Sequence, residues 1–119
     1  MSDKTLRQFQ TEVDEWIQAA GGGYWSPLAN LARIAEEVGE LARLVNHLYG
    51  PKPKKASEAA QELGEEMADI LFALICMANR EGIDLGASLQ RVIEKAWQRD
   101  SNRYTHTDTS RHEDVSRSS

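Results

Sequence analysis

One hundred and nineteen residues suffice for one domain and are too few for two. With 40% hydrophobic and 28% charged residues the composition is that of an ordinary globular domain, and a formal net charge of −5 argues against general binding of a nucleic acid polymer. The one cysteine, Cys76 within Leu74-Ile75-Cys76-Met77, precludes an intrachain disulfide and reads as a small buried hydrophobe. No apolar run reaches bilayer-spanning length and the N-terminus, Met1-Ser2-Asp3-Lys4, is polar, so the expectation is a cytoplasmic protein with no membrane partner.

The periodicity is helical throughout. Leu6, Phe9, Val13, Trp16 and Ile17 recur at spacings of three and four and predict a first helix over about residues 3–20, stopped by Gly21-Gly22-Gly23. Ser26-Pro27 is a start signal, a hydroxyl cap followed by a proline at the first helical position, and that second helix should run to about Tyr49, before Gly50-Pro51. A basic loop, Lys52-Pro53-Lys54-Lys55, leads to a third helix capped by Ser57 and reaching about Arg80; Asp84 caps a fourth through about Arg99, extending to Arg103 if the stripe continues. Short connections imply an all-α, antiparallel four-helix bundle-like protomer over residues 1–104. Residues 105–119, with Val115 as the sole apolar side chain, form a polar tail expected to be disordered.

Two acidic clusters interrupt this pattern. Glu36, Glu37 and Glu40 lie on the second helix among Leu31, Ile34, Val38, Leu41 and Leu44; Glu66 and Asp69 lie on the third among Leu63, Met67, Ile70, Leu71 and Leu74. At about 100° per residue Glu40 projects between Glu36 and Glu37, and Glu66 and Asp69 stand about 60° apart. If the two helices pack antiparallel, five carboxylates face one pocket, where repulsion demands a counter-charge. Oxygen-only donors suit hard cations such as Mg²⁺ or Mn²⁺. A di-iron bundle needs Glu-x-x-His pairs, and none of His47, His106 or His112 has a glutamate three residues before it. Glu12, Asp14, Glu15, Glu58, Glu62, Glu65 and Glu94 read as an ordinary solvated face.

Glu36-Glu37-x-x-Glu40 followed by Glu66-x-x-Asp69 resembles the EExxE…ExxD signature of the MazG-like nucleotide pyrophosphohydrolases, of the all-α NTP pyrophosphatase superfamily. The likeness covers roughly residues 10–103 and takes in Ser26-Pro27-Leu28, Glu37-Val38-Gly39-Glu40-Leu41, Asp69-Ile70-Leu71-Phe72 and Lys95-x-x-x-Arg99-Asp100. It implies a Mg²⁺-dependent hydrolase that splits a nucleoside triphosphate between the α and β phosphates, releasing monophosphate and pyrophosphate. By position, it implies Glu37, Glu40, Glu66 and Asp69 as metal ligands, with Glu36 assisting a further ion or activating water. Glu36 and Glu37 are thus the catalytic candidates. It further implies a homodimer or a paired-dimer homotetramer, and nucleotide-pool housecleaning is the role to expect.

A triphosphate also needs cationic contacts. Lys95, Arg99 and Arg103 recur every four residues on one helical stripe, and with the resemblance Lys95 and Arg99 become phosphate contacts, Arg103 a further one. Lys52, Lys54 and Lys55 read as a solvated loop. Asn79, bordering the Glu66/Asp69 face, is a candidate for sugar or phosphate. Tyr24, Trp25 and Leu28 are candidates to stack on a base, or a staple holding the second helix to the core; Trp16, Phe72 and Trp97 fall at core spacing. The competing readings are a non-catalytic helical interaction module and an enzyme acting on a phosphoribosylated nucleotide in histidine synthesis.

Overall fold

The structure is a computed structural model describing residues 3–51 and 56–104, with side chains described over 3–51 and 61–100. The basic loop 52–55 and the tail 105–119 lie outside the described residues. Within them the chain is all helical: α1 Leu6–Trp16, a π-helical turn Ile17–Gly21, α2 Pro27–Leu48, α3 Ala56–Glu81 and α4 Leu85–Tyr104, with no strand. None of these helices is long and apolar enough to cross a membrane.

Local chemistry explains the boundaries. Thr5 caps α1 in a reciprocal box: its hydroxyl accepts from the Gln8 amide, and the Gln8 side chain accepts from the Thr5 N–H. The start near residue 3 expected from periodicity is therefore moved to Leu6. The α-helical part also ends earlier than expected, at Trp16, where the backbone widens into the π turn before Gly22 and Gly23 take positive φ of 78° and 98°. Ser26 caps α2 as predicted, accepting from Ala29 N–H, with Pro27 in the first turn. The third helix begins at Ala56, which puts Ser57 inside its first turn instead of at the cap. Its other end is a Schellman closure: Ile83 N–H donates to Ala78 O, Gly82 N–H donates to Asn79 O, and Gly82 has φ 70°.

The described chain forms two compact units, one up to Leu85 and one from Gly86 onward. In the first, α3 packs against both α1 and α2. Asn30, buried on α2, donates its amide to Ala73 O on α3, and Glu37 lies beside Glu66. The partner's number falls as the α2 number rises, so α2 and α3 run antiparallel. Ala73 is fully buried and its small side chain lets the two backbones approach. Gln10 ties α1 to the far end of α3: its side-chain amide donates to Asn79 Oδ1 and Ile83 O, while its carbonyl accepts from Leu85 N–H.

The buried apolar set is small: Ile17, Leu48, Ala73, Ile75, Cys76 and Ala78. Cys76 is a buried free thiol, as expected, and burial raises its pKa. Leu31, Val38, Met67, Leu71 and Leu74, expected in the core, are exposed in the single chain, and Leu31, Val38 and Val45 repeat every seven residues as an apolar stripe along α2. Trp16 does pack as expected, edge-on against Phe72 at 5.9 Å between ring centroids, though half of it stays exposed. The second unit consists, in its described part, of the body of α4. Its Trp97, also expected to pack, is 69% exposed, and Leu89, Val92 and Ile93 on the same helix are exposed with it.

Candidate metal and nucleotide site

Antiparallel pairing of α2 and α3 brings three of the acids together. One carboxylate oxygen each from Glu37, Glu66 and Asp69 lie within 4.8 Å of one another. Glu66 is the most constrained member: its Oε2 is buried and has no hydrogen-bond partner. Its pKa is raised, first by desolvation and then by the negative charges of Asp69, Glu40, Glu37 and Glu65. An orphaned carboxylate oxygen among like charges is costly, and a proton or a cation relieves it. The donor set is oxygen alone, so the residues fit a hard divalent ion and not a thiophilic one.

Glu40 stands one turn beyond Glu37. It is not within the three-residue group but lines an open groove with Glu66, Leu44, Arg43 and His47, and its Oε1 lies 3.6 Å from Arg43 Nη2. Glu36 is exposed on α2 and is not drawn into the group.

The base candidates divide. Tyr24 and Trp25 line a partly open cavity of about 90 Å³ with Trp16, Asn30, Arg33, Phe72 and Cys76, whereas Leu28 is 80% exposed and outside it. Tyr24 is anchored by its hydroxyl, which donates to Asp14 Oδ1; burial first, and then that bond, push its pKa up to about 12. Asp14 is thus a tether for the cavity wall instead of part of a solvated face. Arg33, which the acid pattern overshadowed, has its guanidinium carbon 5.6 Å from the Trp25 ring centroid and 5.7 Å from that of Phe72. Asn79 is engaged with α1: its amide donates to Gln10 O and its carbonyl accepts from the Gln10 side chain. Its side chain also hydrogen-bonds Tyr24, which partly offsets the rise in the Tyr24 pKa.

The expected phosphate contacts lie on α4, in the second unit. Lys95 is exposed, Arg99 places Nε 3.8 Å from Asp100 Oδ1, and the Arg103 side chain lies outside the described set.

Residues 25–104 match the MazG nucleotide pyrophosphohydrolase domain, and the chain belongs to that family. The matched segment contains all five acids. The uncharacterized YpjD of Bacillus subtilis (strain 168) is 51% identical over 105 residues, covering 88% of this chain and 95% of YpjD. The crystal structure of B. subtilis YpjD superposes with a TM-score of 0.70 at 53% identity, over 80% of this chain and 97% of that one. That of the Bacillus-conserved MazG protein, a nucleotide pyrophosphohydrolase, gives a TM-score of 0.68 at 45% identity, over 80% and 92%. Family and fold together identify a pyrophosphohydrolase with the all-α MazG fold.

Proposed function

We propose that the protein hydrolyses nucleoside triphosphates, ribo or deoxy, between the α and β phosphates, releasing the monophosphate and pyrophosphate, with Mg²⁺ as the ordinary cofactor and Mn²⁺ as a substitute. The observation that carries this reading is the convergence of Glu37, Glu66 and Asp69 around an unpartnered Glu66 oxygen, inside the segment that matches the family. Those three carboxylates would hold the ion, and Glu40, on the groove shared with Glu66, would complete its ligands. A divalent ion there supplies charge neutralisation for the triphosphate and polarises the phosphoryl oxygens.

The chain's own side chains do the rest. Glu36, solvated and next to Glu37, accepts the proton of the attacking water. Lys95 and Arg99, with Arg103, neutralise phosphate oxygens, and the Asn79 amide, exchanging one of its present partners, contacts a sugar or phosphate oxygen. Tyr24 and Trp25 present aromatic faces to the base, with Leu28 at the entrance. Two exposed apolar stripes, Leu31/Val38/Val45 on α2 and Met67/Leu71/Leu74 on α3, favour a homodimer or homotetramer, because a monomer would leave both in water. The role is clearance of unwanted nucleotides in the cytoplasm. A panel of NTPs, dNTPs and a phosphoribosylated ATP, assayed for Mg²⁺-dependent pyrophosphate, tests the reading. Orthophosphate as first product, or no turnover of any of them, would refute it; preference for the phosphoribosylated compound would move the substrate.

A further inference from the structure

The cavity beside the acids contains a cation that the proposed chemistry does not use. Arg33 lies over two aromatic rings, Trp25 and Phe72, in a space also walled by Trp16, Tyr24 and Cys76. Among the described residues no carboxylate pairs with its guanidinium and no carbonyl accepts from it. Its five N–H donors, held over the two rings on a half-buried side chain and still open to solvent, are available to an acceptor that a ligand brings into the cavity. Stacking fixes the cation in place but satisfies none of those donors.

The position is informative. Arg33 precedes Glu37 by four residues on α2, and Phe72 follows Asp69 by three on α3, so the cavity adjoins the acid group by about one turn on both helices. A nucleotide whose phosphates meet the acids would bring its base into this space. We propose that Arg33 determines base specificity: its guanidinium donates to a carbonyl oxygen on the edge of the bound base and disfavours adenine, which has no carbonyl. The placement of the phosphates rests on the pyrophosphohydrolase reading; the recognition of the base does not.

The physical basis is an asymmetry of pairing. A planar base slides between aromatic faces whatever its identity, so the rings supply affinity without much choice. Choice comes from the donors. A carbonyl edge satisfies them, whereas the exocyclic amine of adenine sets donor against donor and gains nothing from the guanidinium. A fork of N–H groups on a carbonyl-bearing base edge discriminates by about ten-fold or more. Lysine keeps the charge but loses the planar fork.

The test needs no metal and no turnover. Deoxyuridine, deoxyadenosine and their 5′-monophosphates are titrated into ¹⁵N-labelled full-length protein, following the indole N–H resonances of Trp16 and Trp25. Wild type should bind both uracil compounds about ten-fold or more tighter than the adenine ones, and Arg33→Met and Arg33→Lys should each erase that preference while leaving adenine affinity nearly unchanged. If Arg33→Met does not fold, Arg33→Lys carries the measurement. Equal affinity for both bases in wild type, equal losses for both bases in the variants, or losses confined to the phosphorylated ligands would overturn the proposal, the last by showing that Arg33 contacts phosphate. Pyrophosphate release from dUTP and dATP is measured in parallel. Base discrimination without any pyrophosphate would sink the pyrophosphohydrolase reading and leave this one standing; pyrophosphate release with an unchanged base preference in the variants would do the reverse.

Discussion

Gln10 joins α1 to the end of α3, and its removal should be costly. It is 7% exposed, and its side chain makes three hydrogen bonds: to Asn79 Oδ1 at 3.0 Å, to Ile83 O at 2.8 Å, and from Leu85 N–H at 3.0 Å. Gln10→Ala deletes all three and strands two carbonyl oxygens, Asn79 Oδ1 and Ile83 O, and the Leu85 N–H beside the α3 terminus. At about 1 kcal/mol net per bond the loss approaches ~3 kcal/mol; water entering the open groove around Arg7, Thr11 and Asp84 recovers part, leaving ~2 kcal/mol. With a urea m-value of about 1.5 kcal/mol/M the midpoint should fall by roughly 1.3 M. Denaturation followed by helical circular dichroism, at fixed protein concentration, reads this directly. Asn79→Ala in a double-mutant cycle with Gln10→Ala should show coupling of about 0.5–1.5 kcal/mol. A loss below ~0.5 kcal/mol, or additivity of the two changes, would refute the clamp. A raised KM for nucleotide in Asn79→Ala at unchanged stability would instead put its amide on the substrate.

Glu66→Gln should stabilise the metal-free protein by removing a buried like charge, abolish the rise in melting temperature on adding Mg²⁺ or Mn²⁺, and lower kcat/KM by at least about 100-fold; a lower melting temperature without metal would contradict the repulsion. Because the folded Glu66 pKa is raised, its contribution is present at low pH and lost as pH climbs through its titration, and the glutamine variant should lack that slope. Tyr24 titrates from 10.0 unfolded to about 12 folded, so its contribution is complete below pH 10 and is lost between pH 10 and about 12. Two units would be about 2.7 kcal/mol in full shelter, but solvent screening at this partly exposed phenol reduces it to about 1 kcal/mol. Urea midpoints at pH 8 and pH 11.5 should therefore separate for wild type more than for Tyr24→Phe, and equal separations would count against the assignment. Val45→Asp, on the exposed α2 stripe and two turns from Glu37, should convert the proposed oligomer to monomers by light scattering; a wild-type monomer at micromolar concentration would remove the basis for this expectation.

The acids were legible because their meaning depends on angle alone. Glu37, Glu66 and Asp69 need only helical geometry and an antiparallel neighbour to meet, and both follow from spacing and short connections. The Ser26 cap was legible for the same reason, being a signal confined to four residues. The Thr5–Gln8 box had an equally local signature, Thr-x-x-Gln, and periodicity drew attention past it. Arg33, Asp14 and Gln10 were not legible by any local rule. Each looks like a surface residue on an amphipathic helix, and each acquires its role from partners distant in sequence: Phe72 for Arg33, Tyr24 for Asp14, Asn79 and Ile83 for Gln10.

Apolar periodicity carries a related ambiguity, since it says that a stripe wants burial without saying against what. Leu31, Val38, Met67, Leu71 and Leu74 satisfy every requirement of core residues, and the single chain leaves them in water. The same helices present the acids, and Val38 and Met67 directly follow Glu37 and Glu66 in sequence. A second copy covering these stripes would exclude water near the carboxylates, strengthening both their repulsion when empty and their attraction for a cation. Assembly and metal affinity are then linked, and the monomeric Val45→Asp protein, whose acids are untouched, should bind Mg²⁺ more weakly than wild type. Unchanged Mg²⁺ affinity in that monomer would show that one chain builds the metal site unaided.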